Sequence, residues 1–240
     1  MPKRRGGYSK KKKYNKYSQG KYGRGNNWAS NAPALARTAL KTAKWVASIV
    51  NTEYKFRDRT VSSEMSNDAW TVIPLTDIAQ GDDSTQRNGR SVLIKSIYLQ
   101  LKLRLIHPAD FDSGVARVML IRDNTCDGVY PNMADIVVNS GGDDTIVTTF
   151  RNILDAPTNK YNILYDRRFS LDIDFKDEIY FSIYKKFYRN HIKYLGTDAS
   201  ISSQGPGSLF LAFCSTGAAT VGGNKPMDLV GNTRFRYIDN

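Results

Sequence analysis

The chain has 240 residues, enough for one full hydrophobic core plus an appendage, and a formal net charge of +12. The surplus is not shared: residues 1–52 hold 13 Lys and Arg and no acid, whereas residues 53–240 hold 22 against 23 acids. No run approaches the ~20 apolar residues that span a bilayer, and Met1 is not followed by the apolar core of a signal peptide, so neither membrane insertion nor secretion by that route is expected. The two cysteines, Cys126 and Cys214, lack metal-ligand spacing and are expected as reduced thiols in a protein made inside a cell.

Residues 1–27 are built almost wholly from Lys, Arg, Gly, Tyr, Asn and Ser, with no Ala, Val, Leu or Ile. Such a segment cannot bury enough surface to offset its ordering entropy, so a disordered basic arm is expected. Its cations are Lys3, Arg4, Arg5, Lys10, Lys11, Lys12, Lys13, Lys16, Lys21 and Arg24, interleaved with Tyr8, Tyr14, Tyr17, Tyr22 and then Trp28. Cations neutralise phosphates and flat rings stack on unpaired bases, so the mixture suits single-stranded nucleic acid without sequence preference. A solubilising tail is the plainer alternative, and the basic clusters also have the form of a nuclear localisation signal read by host import machinery.

Residues 28–51 are expected as a short amphipathic basic helix. Asn31 is the candidate cap and Pro33 lies in the first turn, with good helix formers over 34–50. Leu35, Ala39, Thr42 and Val46 lie along one face, while Arg37, Lys41 and Lys44 lie along the other and are placed to meet phosphate. A membrane-surface helix and a mitochondrial presequence are the competing readings, weakened by the thin, alanine-rich apolar face.

From residue 52 the pattern becomes that of strands. Tyr54 and Phe56 alternate with Lys55 and Arg57 in a first strand, and Trp70 to Leu75 is a short apolar segment containing Pro74. Within 91–106, Ile97, Leu99, Leu101, Leu103 and Leu105 alternate with Tyr98, Gln100, Lys102 and Arg104, the signature of a long half-buried strand. Val92 and Ile94 are apolar in the opposite phase, so this strand either bulges near Lys95-Ser96 or is covered on both faces at its start. Residues 115–121 read as buried on both faces apart from Arg117, and a short helix is expected within 132–138.

Alternation returns at Tyr161, Ile163 and Tyr165 and continues through Phe169, Leu171, Ile173 and Phe175, with Asp166-Arg167-Arg168 as a candidate bend or hairpin. Ile179, Phe181, Ile183 and Phe187 form the next strand with Tyr180, Tyr184 and Tyr188 opposite. Leu209, Leu211 and Phe213 follow Gly205-Pro206-Gly207, and Phe235 with Tyr237, alternating with Arg234 and Arg236, closes the chain. About eight strands without a βαβ rhythm predict an all-β body over 52–240, an eight-stranded antiparallel jelly-roll sandwich.

Little in the chain points to catalysis. His107 and His191 are the only histidines, in a turn and among surface-type residues, and two histidines with two distant cysteines do not make a zinc site. Asp82-Asp83, Asp143-Asp144, Asp172 with Asp174 on one face of a strand, and the loop Asp123 to Gly128 read as turn or surface features, since the last lacks the alternating ligands of a calcium loop. No cofactor, metal or enzymatic activity is expected. The outward tyrosines are expected at contacts between subunits.

The order of parts resembles capsid proteins of small circular single-stranded DNA viruses, the circovirus-like group. The residues that carry the resemblance are the basic arm and helix, Asn51-Thr52-Glu53-Tyr54-Lys55, Gln80-Gly81, Arg87-Asn88-Gly89, Ile94-Lys95-Ser96-Ile97, Ile163-Leu164-Tyr165-Asp166-Arg167 and Thr233-Arg234-Phe235-Arg236-Tyr237. Arg87-Asn88-Gly89 departs from the Arg-Ile-Gly or Arg-Val-Gly of relatives. The resemblance implies a virion protein: one jelly roll, sixty copies in a small icosahedral shell, the arm inside on a single-stranded DNA genome, and no catalysis. Assembly in the host nucleus accompanies the import reading. Sixty arms would carry roughly 780 positive charges, and counterion release would drive packaging. The rival reading is a cellular nucleic-acid-binding module with a basic tail that forms no shell; a jelly-roll lectin or hydrolase would need a pocket with convergent carboxylates.

Overall fold

The computed structural model describes residues 36–43, 54–66, 69–106, 113–138, 144–152, 160–216 and 226–239. The chain divides into two units, residues 1–51 and 52–240. In the first, residues 36–43 are helical, with all eight side chains exposed.

The second unit contains, among the described residues, eight strands: β1 (Tyr54–Met65), β2 (Thr71–Pro74), β3 (Ser91–Leu105), β4 (Ser113–Asp123), β5 (Tyr161–Asp172), β6 (Glu178–Lys193), β7 (Ser208–Ser215) and β8 (Met227–Asp239). The first strand pairs with the last, the second with the seventh, the third with the sixth and the fourth with the fifth, all antiparallel. The β3–β8 and β4–β7 pairings then join these into two four-stranded sheets, β1-β8-β3-β6 and β2-β7-β4-β5. This is the jelly roll expected from the alternation: a long hairpin whose successive pairs fall in opposite sheets.

The core lies between the sheets. Val92, Ile94, Ile97, Leu99, Leu101 and Leu103 of β3 meet Ala116, Val118 and Leu120 of β4 and Leu209, Leu211 and Phe213 of β7. The phase reversal in β3 is a bulge: pairing with β8 steps from Ile94/Tyr237 to Ser96/Arg236, leaving Lys95 unmatched. On the other side, Lys95 lies opposite three residues of β6, and Arg189 among them takes φ 58°. Both apolar phases of β3 therefore face the same core.

In the β2-β7-β4-β5 sheet the middle strands β7 and β4 are buried on both faces, because the connection between β4 and β5 covers their outside. Met133, Ile136, Val137, Ile146 and Val147 pack there on Met119, Ile121, Phe210, Ala212 and Cys214. The expected short helix is a 3-10 turn, Met133–Asp135, in which the Ala134 N–H donates to Asn132 Oδ1 at 3.2 Å. Both thiols are free and buried, and burial pushes the Cys214 thiol up to about 12.

Four expectations are corrected. Arg117 is buried, 2% exposed; its charge is met by Asp166 and by backbone carbonyls. Asp166-Arg167-Arg168 makes no bend or hairpin, because β5 runs through it to Asp172 with these residues in regular register with Met119, Val118 and Arg117; the strand's one register shift falls at Leu164, opposite Leu120/Ile121. Ile173 and Phe175 lie beyond the strand, in the β5–β6 turn, with Phe175 90% exposed. Asp172 and Asp174 accordingly share a turn rather than a strand face, the Asp174 N–H donating to Asp172 Oδ1 at 3.0 Å.

β1, an edge strand, buries Lys55 and turns Tyr54 and Phe56 outward. Lys55 Nζ meets Asp239 Oδ2 at 3.2 Å, and Arg59 Nη1 meets Asp77 Oδ2 at 2.7 Å and Pro74 O at 2.6 Å. Inward-pointing charges on an edge strand discourage pairing with further strands. Arg87, with no exposed surface, donates to the carbonyls of Ile78, Gly89 and Gly196 and lies 4.0 Å from the Tyr194 ring centroid, fixing the β2–β3 connection. Gly207, at φ 94°, has no room for a side chain, since a Cβ would fall 2.2 Å from His191 O.

Candidate nucleic-acid interface

Of the cationic and aromatic residues singled out in the sequence, Arg37 and Lys41 are described. They are one helical turn apart and both exposed, on the same side of the helix, so two positive charges can meet successive phosphates. Lys3, Arg4, Arg5, Tyr8, Lys10, Lys11, Lys12, Lys13, Tyr14, Lys16, Tyr17, Lys21, Tyr22, Arg24 and Lys44 lie outside the described residues, as do Trp28, the candidate cap Asn31, Pro33, Leu35 and Val46. His107 and residues 139–143 do so as well.

The features weighed for chemistry have structural roles where they are described. His191 is exposed on β6. Asp123 Oδ1 accepts from the Thr125 N–H at 2.9 Å and the Thr125 hydroxyl at 3.3 Å, which makes the supposed calcium loop a turn. Among the described residues no cluster of three or more His, Cys, Asp or Glu is arranged to hold a metal, and no helix is long and apolar enough to cross a membrane.

A second set of cations and rings, whose tyrosines the sequence reading assigned to contacts between subunits and not to nucleic acid, is assembled on the outer face of the β1-β8-β3-β6 sheet. Register places side chains in rows across the strands. One row is Phe56, Arg236, Ser96 and Lys186; the next is Asp58, Arg234, Tyr98 and Tyr184; the third is Thr60, Asn232, Gln100 and Ser182. Farther along the same face come Val230, Lys102 and Tyr180, then Asp228, Arg104 and Glu178.

The carboxylates of this face are each held by a cation. Asp58 takes Arg234 through Nε at 2.7 Å and Nη2 at 2.6 Å, Glu178 takes Lys102 at 2.7 Å, and Asp228 takes Arg104 at 2.7 Å. The hydrogen bonds from Arg234 hold the Asp58 carboxyl below the usual carboxylate range. Arg236 and Lys186 form no ion pair among the described residues, although Arg236 lies near enough to help hold the Asp58 carboxyl down. The alternation in β3, β6 and β8 announced that these side chains point outward. It could not tell that Arg236, 50 residues beyond Lys186 in the chain, shares its row; that requires the pairing of both strands with β3.

The sequence of the fold fits a known family over most of its length. Residues 32–230 match the model of the satellite tobacco necrosis virus coat protein family. The chain belongs to this family of viral coat proteins. The coat-protein part of the resemblance drawn from the sequence is thereby shown, and with it a place in the virion; the family that matches is not the circovirus-like one. Similar solved structures include that of Desmodium yellow mottle tymovirus, at 9% identity, covering 76% of this coat protein and 86% of that chain with a TM-score of 0.37. Turnip yellow mosaic virus matches at 12% identity, over 75% and 92% of the two chains, with a TM-score of 0.33. The Kashmir bee virus empty particle matches at 12% identity, over 79% and 72%, with a TM-score of 0.30. No match was found among curated proteins.

Proposed function

We propose that this coat protein closes a small icosahedral shell of sixty copies and packages a single-stranded genome through its basic arm, without catalytic activity. The observation that carries the proposal is the segregation of charge: 13 cations and no acid in residues 1–52, against 22 cations and 23 acids in the remainder. A near-neutral body can pack against its own copies without strong repulsion, while the arm is attracted to a polyanion. In this reading Lys3, Arg4, Arg5, the run Lys10, Lys11, Lys12 and Lys13, and Lys16, Lys21 and Arg24 neutralise phosphates. Tyr8, Tyr14, Tyr17 and Tyr22 stack on bases, and Arg37, Lys41 and Lys44 extend the cationic track.

The proposed genome is circular single-stranded DNA, which rests on the sequence resemblance alone; phosphate neutralisation and ring stacking are indifferent to the sugar. The same basic clusters would address host import machinery and bring assembly to the nucleus.

Nucleic acid extracted from purified particles is expected to be degraded by DNase I and a single-strand nuclease and to resist RNase A and exonucleases. Recovery of RNA would overturn the DNA assignment and leave packaging intact; particles free of nucleic acid would overturn both.

A further inference from the structure

The arm need not be the whole of the genome contact. We propose that the outer face of the β1-β8-β3-β6 sheet is a second binding surface for single-stranded nucleic acid, seating a base beside Tyr98 and Tyr184 with Arg236 and Lys186 on the flanking phosphates. This rests on the genome-packaging reading above and adds a site within the jelly roll to it.

Between the cationic row and the amide row the sheet carries a depression of about 600 Å³, lined by Tyr98, Tyr184, Gln100, Asn232 and Arg236 and by Arg234 with its partner Asp58. That is ample for a nucleotide. Tyr98 is 36% and Tyr184 53% exposed, and their rings meet edge to face with centroids 6.0 Å apart, so each ring offers accessible π surface. Lys186 Nζ lies 5.9 Å from the Tyr184 ring centroid, and Arg234 lies 5.1 Å from that of Phe56. Cations beside exposed rings are the pairing by which sequence-tolerant single-strand binders hold phosphates and bases together.

The amides complete the depression. Gln100 Nε2 donates to the Tyr98 hydroxyl at 3.0 Å, and Asn232 Oδ1 accepts from Thr60 at 3.3 Å. The Gln100 oxygen and the Asn232 amide nitrogen stay available for a base edge.

Charge decides in favour of a polyanion. Asp58, Glu178 and Asp228 are ion-paired to Arg234, Lys102 and Arg104, so Arg236, which Asp58 also feels at longer range, and Lys186 are the cations of these rows that form no ion pair among the described residues, and the rows carry five cations against three acids. Buried centres of protein–protein contacts are depleted of charge, whereas this depression is lined by Arg234 and Arg236 and by amides with spare hydrogen-bonding capacity.

The test uses the full-length protein with a 20-nucleotide oligothymidylate carrying 5-bromodeoxyuridine, photo-crosslinked and mapped by mass spectrometry. Adducts are expected on peptides containing Tyr98 and Tyr184 as well as on arm tyrosines. Tyr184→Ala should weaken binding roughly 5- to 150-fold at a salt concentration that suppresses the arm's contribution, while Tyr184→Trp retains affinity. The double variant Lys186→Ala/Arg236→Ala should lower the slope of log affinity against log salt by about 1.4.

Adducts confined to the arm would overturn the sheet site and leave the packaging reading standing; adducts nowhere would overturn both. Loss of particles in Tyr184→Ala without any change in crosslinking would instead make the face a contact between copies, and would equally overturn the proposal.

Discussion

Asp166→Ala should destabilise the jelly roll by about 3–5 kcal/mol, the cost of leaving a buried charge without its partner. That is a large share of the ~5–15 kcal/mol by which domains are stable, and it will appear as a lowered urea midpoint of the unassembled subunit. Arg117 is 2% exposed on the outer face of β4; both Asp166 oxygens receive its guanidinium, Nε to Oδ1 and Nη2 to Oδ2, each at 2.9 Å. Its Nη1 donates to Thr149 O at 2.6 Å, and Arg151 Nε adds a further bond to Asp166 at 2.9 Å. The pair therefore ties the β4–β5 connection to the sheet beneath it, and Arg168 reinforces the tie by donating to Val147 O at 2.7 Å. Without the carboxylate the guanidinium stays enclosed, with only carbonyl dipoles to meet it. Replacing both partners, Arg117→Met with Asp166→Leu, should recover most of the loss, because two apolar side chains need no compensation there.

The same carboxylate makes stability depend on pH. Burial pushes the Asp166 carboxyl up, but hydrogen bonds from Arg117 and Arg151 outweigh it, and the group titrates below the ordinary carboxylate range. A carboxylate whose folded pKa is depressed binds fewer protons folded than unfolded. Its stabilisation is thus complete above the unfolded value, about pH 4, and is lost as pH falls through the folded value. Burial raises Asp77 and Asp123 instead, and they contribute with the opposite sign. The Asp166 contribution is therefore read as the difference between the parent protein and Asp166→Asn, which should shrink as pH falls below about 4.

Removal of residues 2–25 should leave the jelly roll folded and strip most nucleic acid from the particles. It deletes ten of the thirteen cations of residues 1–52, together with Tyr8, Tyr14, Tyr17 and Tyr22, and it touches none of the eight strands. If all ten cations neutralise phosphates of a single strand, the slope of log affinity against log salt should fall by about 7. Absorbance ratios and nuclease-protected yield measure the content; equal content in full-length and shortened particles would rule out a packaging role for the arm.

The fold was legible wherever one sheet face is buried and the other solvated, because alternation then reports the pleat directly. β3 is the clearest case, although its phase reversal left a bulge and two-faced cover equally open until the pairing with β8 placed the bulge at Lys95. Legibility failed where local polarity and burial part company. Arg117 reads as exposed by residue type, yet Asp166 and the β4–β5 connection enclose it, and both partners are remote in sequence. Lys55 and Arg59 point inward on an edge strand for the same reason: their acids, Asp239 and Asp77, arrive from elsewhere in the chain. In β5, alternation continued past Asp172 into Ile173 and Phe175 although the strand stops there, since a turn can expose apolar side chains without disturbing the pattern.

The candidate site divides along the same line. The arm's chemistry is compositional and needs no partner strand to be read. The face bearing Tyr98, Tyr184, Lys186 and Arg236 depends on β3 lying between β8 and β6, a neighbourhood that no local pattern encodes.

The central claim is that the near-neutral β body associates with its own copies to enclose a polyanion gathered by the cationic leader. Sedimentation velocity of the full-length protein expressed alone, with electron microscopy of the fastest species, tests it most directly. Closed particles of megadalton mass containing nucleic acid are the predicted result, and a species of 27.0 kDa that persists across salt, pH and added single-stranded nucleic acid would contradict it.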